Sequence, residues 1–364
     1  MEPILSYQYK DKYYHSKYDC CQEALRDGVP LTQLTSHIKA VLFKNPKLFS
    51  DYDFKTEPKQ DWYEMCVERA HELRQKHKYL ALAFSGGSDS AFILDIFLKN
   101  NIPLDEVYTV LGNPFKDKNL PLHLDGGFWE VYNHAIPHMQ DVQKQYNIKT
   151  KFTVHDNYED VFTGHFNSSL FDNAHHGILY TPTGNAHYSV IQRYKAQDRF
   201  IINGAFEPNI GYGRGKYFME LWDTDNTSQL CHWNYIPFFL PDNNLKMHSK
   251  QCHLVMKHLK TYGYVDRKNN FPEYHKAQIL STRKWLYNFN ESPYFAPNWN
   301  YKEKDPKASL FANLKVKSFL KALNHFGIDD YKKTLNDFWF EPKVNNINIF
   351  RLPHGFQIAK QYLE

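Results

Sequence analysis

The feature that most constrains this chain is the stretch at residues 79–99, YLALAFSGGSDSAFILDIFLK. Residues 79–84 form a short apolar run suited to a strand buried on both faces of a parallel sheet. Residues 91–99 read as a helix, which Asn100, Asn101 and Pro103 stop. Between them lies Ser85-Gly86-Gly87-Ser88-Asp89-Ser90. Two glycines let the backbone turn tightly and approach an anion closely. Ser85, Ser88 and Ser90 supply hydroxyl donors. The free N–H groups and dipole of a helix start favour a phosphate there. Asp89 falls in the first turn, where it can cap the helix or hold a magnesium ion. A plain strand-to-helix turn with a Ser or Asp cap accounts for any one of these residues. The whole set after an apolar strand points to phosphate binding.

The same alternation continues downstream. Residues 106–111 (EVYTVL), 149–154 (KTKFTV) and 199–202 (RFII) read as further strands. Helices are expected over 128–146, bent or broken at Pro137, and over 185–196. This order predicts an α/β fold, a parallel twisted sheet flanked by helices. The loops after Phe84, Leu111, Val154 and Ile202 would gather at its carboxyl edge. Residues 1–76 read as a mainly helical extension, with apolar stripes over 31–43 and 62–76. The core spans 77–240. Residues 241–364 read as a mainly helical region packed on it, with helices over 274–289 and 307–326, a strand near 346–350 and a short terminal helix.

Composition excludes little. Among 364 residues, 44 basic and 40 acidic side chains give a net charge of +4, too weak to argue for nucleic acid. The aromatic share is 16%, which serves a core or a base-stacking pocket equally well. Five cysteines, an odd count, come with neither an apolar leader nor an 18-residue apolar run. The expectation is a soluble, reduced, cytoplasmic protein with no membrane partner.

SGGSDS resembles the SGGxDS pyrophosphate loop of the N-type ATP pyrophosphatases, the PP-loop superfamily. That resemblance implies a Rossmann-like PP-loop fold, ATP and Mg2+ as cofactors, and adenylylation of a carboxylate or amide oxygen with release of pyrophosphate. Phe84, Ser85, Gly86, Gly87, Ser88, Asp89 and Ser90 are then nucleotide-binding positions. Within the superfamily, residues 78–325 are most similar in order to the synthetase domain of asparagine synthetase. Residues 107–112 resemble its second strand, whose backbone meets adenine, which assigns Val110 and Leu111 to the nucleotide. Tyr180-Thr181-Pro182, residues 199–213 and residues 233–239 resemble later segments in the same order, and Gly204 joins the nucleotide set. The family loop carries an acidic residue after its first glycine and a later metal-binding aspartate. Ala205 and Pro208 stand there, and Glu207 is the one nearby carboxylate. The resemblance thus makes Asp89 and Glu207 the candidate catalytic carboxylates and metal ligands. The family's glutaminase half begins with a cysteine after the initiator Met, and residue 2 here is Glu. The amine is therefore expected free, within the second substrate, or from a partner.

Other clusters carry weaker signals. Arg214 and Lys216, in the glycine-rich segment 211–216, are candidates for the α-phosphate or the leaving pyrophosphate, or are solvated loop charges. Thr183 and Asn185 serve a helix cap as readily as a substrate. Cys231-His232 and Cys252-His253 lack the spacing of a structural zinc site. The leading reading is an AMP-forming ligase acting on a small-molecule carboxylate or amide and an amine donor. A second reading turns the same chemistry on a nucleobase or nucleic acid, which the lysines and histidines of 246–260 would suit. A third is a non-catalytic nucleotide-binding module.

Overall fold

The computed structural model describes residues 4–15, 17–111, 131–156, 190–204, 209–223, 233–240, 245–262, 286–287, 292, 294, 343–344, 347–348 and 356–364. It begins with strands β1 (Leu5–Tyr9) and β2 (Lys12–Tyr14), helix α1 (Lys17–Arg26), a short helix α2 (Leu34–His37) and strand β3 (Ile38–Leu42). β1 pairs antiparallel with both β2 and β3. The expected helix over 31–43 therefore ends at His37. Its apolar spacing fits a helix, but pairing with β1 draws Ile38, Val41 and Leu42 into a strand, and tertiary context overrides local pattern.

Helix α3 (Trp62–Lys76) forms as read. Asp61 caps it, accepting from the N–H groups of Tyr63 at 2.8 Å and Glu64 at 3.2 Å, a contact worth about 1 kcal/mol. Glu64 in the first turn and Arg74 and Lys76 in the last complement the helix dipole. The elements that follow are β4 (Leu80–Ala83), α4 (Ser88–Lys99), β5 (Glu106–Leu111), α5 (Ile136–Tyr146) and β6 (Lys151–Asp156). Residues 190–196 are helical, and β7 (Phe200–Asn203) comes next.

A π-helical turn, Val131–Ala135, leads into α5. Pro137 lacks an N–H and crowds the carbonyl four residues back, and the widened turn just before it accommodates both effects.

The central sheet has five strands in the order β10-β7-β4-β5-β6, where β10 is Tyr235–Pro237. Every pairing in it is parallel. The chain thus moves outward from β4 to β6, then returns to the other side of β4. Side chains alternate strictly between two cores. Leu80, Leu82, Phe84, Val107 and Ile202 pack with α3 and α4, while Ala81, Ala83, Tyr108, Val110 and Ile201 pack with residues 190–194. Both faces are covered, which is why β4 and β7 read as unbroken apolar runs.

The amino edge of this sheet is tied shut. Arg74 donates to Asp105 at 2.6 Å and to the Lys78 carbonyl at 2.8 Å, and Asp105 accepts from the Leu80 N–H at 2.8 Å. Glu106, buried at the start of β5, accepts from the hydroxyls of Tyr79 at 2.6 Å and Tyr194 at 2.7 Å.

β8 (Asn209–Gly213) and β9 (Lys216–Trp222) form a hairpin. Helix α6 (Lys246–Tyr262) packs on α3, and two short strands, β11 (Lys343–Val344) and β12 (Ile347–Asn348), pair antiparallel. The expected terminal helix is instead a strand, β13 (Gln357–Tyr362), which joins β9 antiparallel. Its alternation places Ala359 inward while Lys360 pairs with Glu220 across the sheet, a period of two that a helix would not satisfy. The expected helix over 307–326 and residues 274–285 lie outside the described residues. Among the described residues no helix is long and apolar enough to cross a membrane.

Candidate functional site

The loop after β4 keeps sheet register for one more residue, because the Phe84 N–H donates to the Tyr108 carbonyl at 2.8 Å. The backbone then turns. Gly86 has φ +79°, and a Cβ there would stand 2.7 Å from the Ala135 nitrogen and 3.0 Å from the His134 Cβ. Glycine is needed on both counts, the left-handed conformation and the close approach to the π turn. Gly87 precedes α4 in extended conformation. Ser85 Oγ accepts from the Gly87 N–H at 3.2 Å, and Ser90 Oγ donates to the Gly87 carbonyl at 3.1 Å, 3.3 Å from Ser85 Oγ. Two of the three serines thus shape the loop.

The helix starts one turn earlier than the sequence pattern suggests, at Ser88, so Ser88, Asp89 and Ser90 form its first turn. The Ala91 N–H, bonded to the Gly87 carbonyl at 2.9 Å, begins the regular helical ladder. N–H groups before that point have no partner within the helix by geometry. Ser88 Oγ is buried and has no hydrogen-bond partner among the described residues. An orphaned hydroxyl at a helix start fits an anion with several acceptor oxygens.

Gly204, at the end of β7, closes the site from the other side. A Cβ there would come within 2.8 Å of Asp89 Cβ and 3.5 Å of the Ser90 nitrogen. β4 and β7 are adjacent, and the chain leaves them in opposite directions across the sheet. That is the switch point at which open parallel sheets take ligands. Asp89 is half-buried and accepts at Oδ1 from the Tyr287 hydroxyl, 2.6 Å away.

The donor set suits a polyphosphate. It also suits Mg2+ held jointly with one, since that ion commonly takes one or two carboxylates together with substrate phosphates. No group of three or more His, Cys, Asp or Glu able to cage an ion occurs among the described residues. Asp89 would supply the protein's oxygen. Val110 is buried in β5, paired with His155, and Leu111 pairs with Asp156 at the same carboxyl edge.

Several candidates fall elsewhere. Glu207, with Ala205 and Pro208, lies outside the described residues, as do Gly112, residues 180–185 and Cys231-His232. Cys252 is a buried free thiol that burial pushes well above its ordinary value, and His253 Nε2 donates to the Phe54 carbonyl at 2.9 Å. Arg214 and Lys216 belong to the β8–β9 hairpin. Arg214 and Gly215 have φ +54° and +76°, a tight two-residue turn between Gly213 and Lys216. Both side chains are exposed, and Glu364 lies near enough to Lys216 to feel its charge.

The α6 lysines are engaged within the chain. Lys246 donates to Gln60 at 2.7 Å, Lys250 and Lys257 meet Glu57 at 2.8 and 2.6 Å, and Lys260 pairs with Glu364. His248 is fully buried, and burial pushes its imidazole down to about 4.

Sequence reasoning missed four neighbours of the loop. His134 and Ala135 form its wall, His138 lies 6.0 Å from the Phe84 ring, and Tyr287 reaches Asp89. Burial pushes His138 down to about 4. Pro137 marked the bend in this helix but gave no sign of what packs there.

No model of a known protein family matches the chain, and no curated protein matches it.

Proposed function

We propose that this chain has a Rossmann-like PP-loop fold, binds ATP at residues 85–90, and acts as an AMP-forming ligase. The observation that carries the reading is the junction of β4 and α4. A left-handed Gly86, a buried Ser88 hydroxyl without a hydrogen-bond partner among the described residues and the first turn of α4 converge at the switch point of a parallel sheet. The strand order, outward from β4 and back to β7, supports the fold.

In this reading the N–H groups of the first turn of α4 and the Ser88 hydroxyl bind the β- and γ-phosphates. Ser85 and Ser90 keep the loop in the shape that offers those donors. The backbone at Val110 and Leu111 meets adenine, and Phe84 and Gly204 set the walls. Asp89, with Glu207 by resemblance, would hold Mg2+, which would supply charge neutralisation for the phosphates. A carboxylate or amide oxygen of the second substrate attacks the α-phosphorus, and pyrophosphate departs. An amine then displaces AMP. Fixed donors aimed at the departing charge, with reactants held in line, supply most of the acceleration.

A small-molecule acceptor is favoured over nucleic acid because the four α6 lysines each have partners within the chain. The test is nucleotide product analysis with candidate carboxylates and amines. AMP and pyrophosphate are expected, and ADP with phosphate would overturn the reading.

A further inference from the structure

The contact between Tyr287 and Asp89 joins residues 198 positions apart. The Tyr287 ring is 3% exposed. It stacks on Phe92 at 4.5 Å and 16°, with Phe239 at 6.3 Å and 10°. The ring's position is therefore set by packing, independently of its hydroxyl. Two further contacts hold the same stretch of chain. Ser292 donates to Asp95, and the Tyr294 ring meets the Tyr146 ring at 5.0 Å. Asp89, Phe92 and Asp95 are spaced by three residues, so the stretch follows one face of α4.

A carboxylate accepts at both oxygens. A phenol on Oδ1 fixes the plane of the group, and a carboxylate held at one oxygen can bind a cation through the other. Metal-binding carboxylates are commonly held in this way by a hydrogen bond from behind. Asp89 sits in the first turn of α4, directly after the loop, so the orientation of its carboxylate bears on whether it reaches a bound nucleotide's metal. We propose that Tyr287 is a positioning residue, whose hydroxyl orients Asp89 to hold Mg2+ beside the phosphates. This rests on the ATP reading of residues 85–90. The ring contributes stability, and the hydroxyl contributes metal affinity.

The experiment uses the full chain and the variant Tyr287→Phe, which keeps the ring and removes the hydroxyl. Binding of a non-hydrolysable ATP analogue is measured by calorimetry with and without Mg2+. Mn2+ binding in the presence of the analogue is followed by electron paramagnetic resonance. The expected result is metal affinity lowered about 10- to 100-fold, with metal-free nucleotide affinity unchanged. Ser292→Ala, which loosens the same stretch without touching Asp89, is expected to leave metal affinity at the wild-type level. Equal metal affinity in wild type and Tyr287→Phe would overturn the inference and leave the ATP reading standing. So would a parallel loss of nucleotide and metal binding, which would mark a purely structural tyrosine. Failure of the wild-type chain to bind the analogue would overturn the ATP reading, and the inference with it.

Discussion

Gly86 lies so close to Ala135 that a methyl group on the glycine would stand 2.7 Å from the alanine nitrogen. The contact joins the loop after β4 to a backbone that has no flexible end to move aside. Gly86→Ala therefore meets two penalties. An L-residue at φ +79° costs about 1–2 kcal/mol, and the clash must displace either the loop or the π turn. The expected outcome is a loss of about 2–3 kcal/mol in denaturant unfolding, at the upper end for strained backbone. Nucleotide binding should fall below detection, measured by calorimetry. Near-native affinity would mean that the loop need not keep this shape.

Glu106 is the buried charge at the opposite edge of the sheet. Burial works to raise its carboxyl, but the surrounding hydroxyls of Thr153, Tyr79 and Tyr194 outweigh it and hold the group below its ordinary 4.5. A carboxyl lowered by folding stabilises the native state above its unfolded value. That contribution fades as pH falls below about 4.5 through the folded value. Glu106→Gln is expected to flatten the fall in melting temperature across this acid window. Glu106→Ala is expected to cost about 3 kcal/mol at neutral pH, since two tyrosine hydroxyls lose their acceptor.

His248 predicts the reverse arrangement, a group whose charge the fold refuses. It is fully buried, both ring nitrogens lack hydrogen-bond partners among the described residues, and burial pushes it down from 6.5 to about 4. Between those values the unfolded chain takes a proton that the folded chain does not. Stability then falls with falling pH across that window, by up to about 1.4 kcal/mol per pH unit. His248→Leu should remove the share of this slope that His248 contributes, leaving that of His138 and His155, which burial also pushes down to about 4. It should also raise stability at neutral pH by about 1 kcal/mol, because unsatisfied polar atoms leave the core. Urea unfolding of both proteins at several pH values measures the two effects. An unchanged slope would mean that the ring finds a proton acceptor after all.

What the sequence made legible was local. β4, the loop at 85–90 and α4 form one continuous segment, and the serines and glycines that shape the turn from within all belong to it. β5 and α3 were readable for the same reason, as single elements with their own apolar pattern. The β3 strand was hidden because its partner, β1, lies some thirty residues earlier and its apolar spacing also fits a helix. The β8–β9 hairpin was hidden by its glycines, which read as a loop. Gly211 is there because the Phe218 ring lies over it, where a Cβ would stand 2.4 Å from the ring. The site divides in the same way. Ser85 to Ser90 could be named in advance, whereas Tyr287 comes from a distant stretch with no pattern that points to Asp89. His134 and Ala135 reach the loop through a π turn, a geometry without a periodicity of its own.

Arg214 offers the sharpest test of that division, because sequence and structure suggest different roles for it. Its charge in a glycine-rich segment suggests a phosphate contact. Its backbone, at φ +54° before Gly215 at +76°, fits a type I′ hairpin turn, where Asn-Gly is the favoured pair. A left-handed arginine costs about 1 kcal/mol that asparagine largely avoids. The turn holds β8 to β9, and β13 extends the same sheet to Glu364, which accepts from the Tyr217 N–H at 3.1 Å. These contacts direct the hairpin toward the terminal strand. Arg214→Asn is thus expected to raise the unfolding free energy by about 0.5–1 kcal/mol while nucleotide affinity stays within about twofold. A drop of about tenfold or more, near 1.4 kcal/mol, would instead assign the guanidinium to the phosphates and require the hairpin to swing toward the loop when nucleotide binds. Lys216→Ala, measured beside it, separates the two cases, since the turn places no conformational demand on that residue.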